Sequence, residues 1–155
     1  MKKLLLNILF LTVMTLASTE VDRSIEQQSI KKNFLIVKST KSYKEAEDFA
    51  SAIATMTNIK YIRDKHYNKE LGLSQGKSLC EDANFEYPCY FSRGRYDDGV
   101  YVSIEYSSAY GGFQKSYYLV MIASGKYAKD IVKDIKKYVP DTYVKHSSVY
   151  LGCMH

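Results

Sequence analysis

No tryptophan occurs among the 155 residues, and no block of like charge builds up anywhere along them. The patterns G-x-S-x-G and H-E-x-x-H and a phosphate-cradling glycine loop are all absent, so the nucleophile, zinc and nucleotide chemistry they carry has no local support. The 22 basic and 17 acidic side chains leave a surplus too slight and too scattered to argue for nucleic acid. Histidines are scarce: His66, His146 and His155 lie in separate segments. Cys153 and His155 stand close together, but two ligands do not make a metal site, and strand alternation gives them no mutual orientation as a catalytic pair. Glu105 with Asp97 or Asp98 could form paired carboxylates on a glycan, yet nothing sets them at a working separation. The expectation is a protein that is not an enzyme and uses no metal or cofactor.

What is present begins with an address. Lys2 and Lys3 precede an apolar run from Leu4 to Ala17, broken only by Asn7, Thr12 and Thr15, and no charge follows until Glu20. With small residues at Ala17, Ser18 and Thr19, this matches a secretory signal peptide over residues 1–18, cleaved after Ala17 or Ser18. A bilayer span needs about 20 apolar residues, so no stable span is expected after cleavage. No cysteine lies beside the cleavage point, which argues against a lipid anchor. Cleavage would take Lys2 and Lys3 from the 22 cations and none of the 17 acids, leaving a net charge of +3. The expected location is the periplasm or cell envelope.

Fifteen tyrosines and six phenylalanines are the compositional anomaly. Such rings suit half-buried sheet surfaces, and they also stack on sugars and other flat ligands. Cys80, Cys89 and Cys153 belong to a chain bound for an oxidising compartment, where disulfides persist. Cys80 and Cys89 flank a short segment containing Pro88 and are the expected pair, although a bridge from Cys153 to either stays open.

Residues 19–33 are polar and read as a linker or a short tethering helix, and a single domain is expected over 34–155. Phe34-Leu35-Ile36-Val37 suits a strand buried on both faces. Ser42 with Glu45 forms a capping box, and Ala46, Phe49, Ala50 and Ile53 then fall on one helix face. Ile59-Lys60-Tyr61-Ile62 reads as a second strand. The plan recurs at an offset of 84 residues. Tyr118 to Ile122 is a buried strand, and Ala128, Ile131, Val132, Ile135 and Val139 share a helix face ended by Pro140. Thr142 to Lys145 is again a strand, which Val149-Tyr150-Leu151 extends or follows. Two such units pack as βαββαβ, an α+β fold with both helices on one face of an antiparallel sheet, ferredoxin-like in plan.

Between the halves, Val100 to Tyr106 alternates as a half-covered strand, and residues 64–99 form a long insertion, mostly irregular, with Cys80–Cys89 as its pin. Arg93-Gly94-Arg95-Tyr96-Asp97-Asp98-Gly99 packs cations, carboxylates and an aromatic between glycines. Its arginines suit a carboxylate or phosphate and Tyr96 a sugar, or the whole is a turn with internal ion pairs. Ser107 to Phe113 reads as a flexible turn at the lip of the site.

The run from Phe34 to Thr40 through Ser42-Tyr43-Lys44-Glu45-Ala46 into Phe49-Ala50, echoed by Tyr118 to Ser124 and Lys126 to Ile135, resembles the SPOR domain. That family is a βαββαβ module of bacterial envelope proteins that binds peptidoglycan glycan strands lacking stem peptides. The resemblance covers about half the mature chain, and the insertion at 64–99 has no counterpart in the family. It implies a cell-wall glycan ligand held on the sheet face away from the helices. If Leu35, Val37, Leu119 and Met121 face the helices, alternation turns Ile36, Lys38, Tyr118, Val120 and Ile122 to that open face, with Tyr101, Ser103 and Glu105 beside them. Lys38, Tyr101, Glu105 and Tyr118 would then bind ligand, with Arg93 and Arg95 at the rim. A bare apolar face is rare, so either a ligand uses it or the insertion covers it. In the latter case an envelope protein that contacts the insertion becomes the alternative partner, with the chain as an interaction module or periplasmic inhibitor.

Overall fold

Phe34, Leu35, Ile36 and Val37 are all buried, in the middle of β1 (Ser29–Thr40). The computed structural model describes residues 28–152. Most of them, 31–149, form one unit, and residues 28–30 and 150–152 belong to a second. In that second unit the Leu151 N–H donates to the Gln28 carbonyl at 2.7 Å and the Tyr150 hydroxyl to Gln28 Oε1 at 3.0 Å. The Leu4–Ala17 run, its cleavage point, Cys153 and His155 lie outside the described residues.

The fold is α+β. Strands β1, β4 (Val100–Tyr106), β5 (Tyr118–Ser124) and β6 (Tyr143–Tyr150) form one sheet in the order β4–β5–β1–β6. Both β1 and β4 run antiparallel to β5. Helix α1 (Tyr43–Thr57) follows β1, and two single turns, α3 (Tyr127–Asp130) and α4 (Val132–Ile135), lead into β6. The insertion holds a hairpin of β2 (Lys65–Asn68) and β3 (Gly72–Gln75), and then the short helix α2 (Lys77–Asp82). Among the described residues no helix is long and apolar enough to cross a membrane.

Helix α1 starts where its cap residues require. The Ser42 hydroxyl accepts the Glu45 N–H at 3.3 Å. The return half of the capping box is replaced: the Ser42 N–H donates to Thr40 Oγ1 at 3.2 Å, and the Thr40 hydroxyl donates to the Glu45 carboxylate. Asn58 ends the helix in the left-handed region (φ 55°), which asparagine tolerates, and its N–H reaches the Ala54 carbonyl. Ala46, Ala50 and Ile53 pack on Leu35, Val37, Val102, Ile104, Val120 and Ile122, with Ala128 and Ile135 from the later turns.

The structure corrects several sequence expectations. Tyr118, Val120 and Ile122 face the helices, not Leu119 and Met121. Every residue of β5 is buried, so alternation has no polar side from which its parity could be read. In β1 the pairing skips Val37 between Ile36↔Met121 and Lys38↔Val120. One extra residue inverts every side chain beyond it, and Lys38 turns to the helix side. Ile59–Ile62 is not a strand. It makes one parallel bridge, Tyr61↔Val102, in which the Val102 N–H donates to the Lys60 carbonyl and the Ile62 N–H to the Val102 carbonyl. The 64–99 insertion is more regular than expected, because Asn68 Oδ1 accepts the N–H groups of Glu70 and Leu71 and closes the β2–β3 turn. The turn at 107–117 is anchored: Tyr110 is buried and bridges Val149 of β6.

Candidate functional site

The second face of the sheet, away from the helices, is covered by polar side chains from the insertion. Gly94 (φ +85°) permits the sharp turn there, and a Cβ on it would meet the Phe34 ring at 2.9 Å. The turn drives Arg93 into the sheet, where only 2% of its surface stays exposed. Pairing between β4 and β5 breaks between Val100 and Ser103, and the guanidinium fills the break. It donates to the carbonyls of Gly99 (2.8 Å), Tyr101 (2.7 Å), Met121 (3.2 Å) and Ile122 (3.2 Å). It also donates to Ser103 Oγ and Ser124 Oγ, each at 3.2 Å, and lies 3.7 Å from the centre of the Tyr101 ring. Burial lowers its affinity for the proton, while Tyr101 and Glu105 pull the other way.

Glu105 is the second buried charge of this layer, with no exposed surface. Its carboxylate accepts from Lys65 Nζ (3.1 Å), the Tyr90 hydroxyl (2.7 Å), the Tyr110 hydroxyl (3.1 Å) and the Arg93 N–H (3.1 Å). Burial pulls the Lys65 ammonium toward deprotonation, but Glu105 and Asp64 outweigh it and hold the group above its ordinary value. Burial first and the Glu105 charge second push the Tyr90 and Tyr110 hydroxyls well above theirs.

Outside this layer lies a cleft of about 420 Å³. Its lining comes from the insertion (Asp64, Lys65, Gln75, Leu79, Ala83, Phe85, Phe91, Ser92, Arg93, Tyr96, Asp97) together with Ile62 and Tyr101. The wall is tied in three ways. Cys80 and Cys89 are bonded. Gln75 Nε2 donates to the Phe91 carbonyl (3.2 Å), and Gln75 Oε1 accepts the Phe91 N–H (2.9 Å). The Gln75 N–H also donates to the Cys89 carbonyl at 2.9 Å. Phe85, Phe91 and Tyr96 form an edge-to-face row with centroid separations of 5.1 and 6.2 Å. Tyr96, at the mouth, is 71% exposed. The Tyr101 hydroxyl donates to Asp97 at 2.5 Å, and burial followed by that bond raises its pKa.

The six residues singled out in the sequence divide between the two faces. Arg93 and Tyr101 line the cleft, Arg95 stacks over the Tyr96 ring at 5.2 Å, and Glu105 lies behind Lys65. Lys38 is on the helix side, paired with Glu45 at 2.7 Å and over the Phe49 ring. Tyr118 is buried there between Tyr43 and Tyr106, and its hydroxyl donates to the Gly72 carbonyl at 3.3 Å. Sequence reasoning missed Lys65, Gln75, Phe85 and Phe91. The signal available was the density of Phe and Tyr around the cysteine pair. Chemically the cleft offers stacking surface and hydrogen-bonding groups, while the charges behind it are already satisfied inside the protein. Among the described residues, no group of three or more His, Cys, Asp or Glu side chains is placed to hold a metal ion. No family model, curated protein or solved structure matches the chain.

Proposed function

We propose that the protein is a non-enzymatic binding module of the cell envelope that receives a cell-wall glycan in the cleft beside the insertion. The observation that carries this reading is the row of Phe85, Phe91 and Tyr96 beside a cleft of about 420 Å³ with Asp97, Asp64 and Gln75 on its walls. Sugar rings present an apolar face to aromatic rings and hydroxyls to polar groups at the edge, and pockets of roughly 300–1,000 Å³ suit small ligands. The βαββαβ plan and the resemblance to the SPOR module support the choice of glycan. An exported address is part of the proposal, supported by the Leu4–Ala17 run and by the Cys80–Cys89 bond, since disulfides persist in oxidising compartments. Co-sedimentation with purified sacculi tests it, half of them treated with an amidase that strips stem peptides. Retention should rise on the stripped sacculi, and Tyr96→Ala should weaken it about fivefold, the effect of losing one aromatic contact of about 1 kcal/mol. No retention on either preparation, or an unchanged Tyr96→Ala, would retire this reading.

A specific observation favours an envelope protein as the alternative partner. Tyr67, Leu71, Leu79, Tyr87 and Tyr96 are all exposed, and all belong to the insertion. Serine at Tyr67, Leu71 and Tyr87 would remove capture of that partner and leave sacculus retention intact.

A further inference from the structure

The second face of the sheet has a part that the insertion does not cover. Loop 107–117 crosses it, and the loop is fixed at its far end. The Gly111 N–H donates to the Ser148 carbonyl at 3.0 Å, and the Ser147 hydroxyl donates to the Gly111 carbonyl at 2.7 Å. The Tyr110 hydroxyl also donates to the Arg93 carbonyl at 3.2 Å. The returning arm of this loop walls a second cleft of about 270 Å³, with Leu119, Ser39, Tyr143 and Lys145 from three neighbouring strands below it.

Two properties of this cleft point to one kind of occupant. It is ringed by aromatics, with Phe113 and Tyr117 on the loop arm and Tyr143 on β6. It is also cationic without compensation. Residues 39–41, 111–119 and 143–149 contain no Asp or Glu; Lys145 lines the cleft, and Lys41 stands at its edge beside the lining Tyr117. The Lys145 ammonium lies over the Phe113 ring at 5.5 Å and that of Lys41 over the Tyr117 ring at 5.4 Å. Among the described residues neither is within salt-bridge distance of a carboxylate. A cleft of about 270 Å³, just below the roughly 300–1,000 Å³ range of small-ligand sites, takes one or two ring-sized units rather than a folded segment. Cations resting on aromatic faces are poised to meet an anion carried by a ring that stacks beside them.

We infer that this second cleft binds a carboxylated sugar of the uronic acid type, its ring against Tyr117, Tyr143 or Phe113 and its carboxylate between Lys41 and Lys145. The inference does not rest on the glycan reading of the first cleft. The test is calorimetric titration of the full chain with a tetramer of galacturonic acid and with its methyl ester, the same sugar without charge. The acid should bind at least about tenfold more tightly than the ester, and the difference should shrink as salt rises from 50 to 500 mM, as screening requires. Lys41→Gln with Lys145→Gln should reduce acid binding by about tenfold and leave the ester unaffected. If that pair fails to give the parent melting curve, the exposed Lys41→Gln alone provides the same comparison. Tyr96→Ala should leave the titration unchanged, which separates failure here from failure of the first cleft. Equal affinity for acid and ester overturns the inference, as do no binding of the acid at millimolar concentration, indifference to the lysine changes, and tighter binding of tetra-aspartate than of the sugar acid.

Discussion

The two faces of the four-stranded sheet are covered by different chemistry. Beneath the helices, Ala46, Ala50 and Ile53 meet Leu35, Val37, Val120 and Ile122, a layer held by apolar contact. Beneath the insertion, Arg93, Glu105, Lys65, Tyr90 and Tyr110 meet the same strands through directed hydrogen bonds. The apolar layer tolerates changes of shape, because dispersion and burial have no direction. The polar layer tolerates little, because each donor or acceptor left over is stranded out of water. The insertion is docked by this polar layer and, through Leu73, by the apolar core, and the part of the cleft built on Arg93 and Lys65 is only as well formed as the polar network.

The largest expected effect separates the two layers directly. Glu105→Gln preserves volume yet leaves the half-satisfied Lys65 ammonium, two hydroxyls and the Arg93 N–H facing an amide. Breaking a buried ion pair in this way costs about 3–5 kcal/mol. Ile53→Val in the apolar layer removes a methylene and should cost about 0.5–1.5 kcal/mol. Urea unfolding of both variants checks the ranking, and a Glu105→Gln loss no greater than that of Ile53→Val would collapse the distinction between the faces.

Next in size is the covalent tie. Replacing Cys80 and Cys89 by alanine opens a small loop, worth about 2–3 kcal/mol in the chain-entropy account. The loss should appear in the urea midpoint and be matched by adding reductant to the parent protein. It should also weaken sacculus retention, since Leu79, Ala83 and Phe85 of the cleft wall lie at or next to the bridged segment. The polar layer also predicts a weakness to alkali. Tyr90 and Tyr110 hold their protons more tightly folded than unfolded, as does Lys65. Tyr43 and Tyr118 do so as well, each raised to about 12. Above pH about 10 the unfolded chain therefore releases protons that the folded chain keeps, and stability falls as pH rises. Each retained proton adds a slope of up to about 1.4 kcal/mol per pH unit. Tm measured from pH 7 to 11.5 should hold level and then drop, and Tyr90→Phe should flatten the drop. A Tm unchanged to pH 11.5 would contradict the assigned burial of these hydroxyls.

The helix-covered face was legible because its signals are periodic. Ala46, Ala50 and Ile53 recur at helical spacing, and Val102 and Ile104 alternate with Ser103 and Glu105. The α+β class followed from those patterns, although the next strand of the sheet after α1 is Val100–Tyr106 and not Ile59–Ile62, and the Cys80–Cys89 pair followed from its close spacing. What was not legible has physical causes. β5 is buried on both sides, so its parity leaves no mark in composition, and the Val37 irregularity shifts Lys38 through backbone register alone. β2 and β3 are short, and the two most buried of their polar residues, Ser74 and Gln75, look like loop residues until Cys89 and Phe91 supply their partners. Arg93 stands in a Gly- and Asp-rich stretch that reads as solvent-facing. Only the break in β4–β5 pairing, a tertiary feature, offers it four carbonyls.

The smallest effect tests how local the helix-side signals are. At the start of α1, Ser42 accepts the Glu45 N–H, while the Glu45 side chain is turned away to Thr40 and Lys38. Ser42→Ala should cost about 1 kcal/mol, the usual loss of an N-cap. Glu45→Ala should cost less than Ser42→Ala, because Thr40 rather than Glu45 satisfies the Ser42 N–H. Thr40→Val should then resemble Ser42→Ala, since it strands that N–H as directly as losing the cap hydroxyl strands the Glu45 N–H. Thermal melts of the three variants decide the matter. A full capping box would make Glu45→Ala as damaging as Ser42→Ala and leave Thr40→Val mild, whereas the arrangement seen here requires the reverse order. The result would show whether a motif spelled correctly in sequence is carried out by the residues that spell it, or by a neighbour the fold happens to supply.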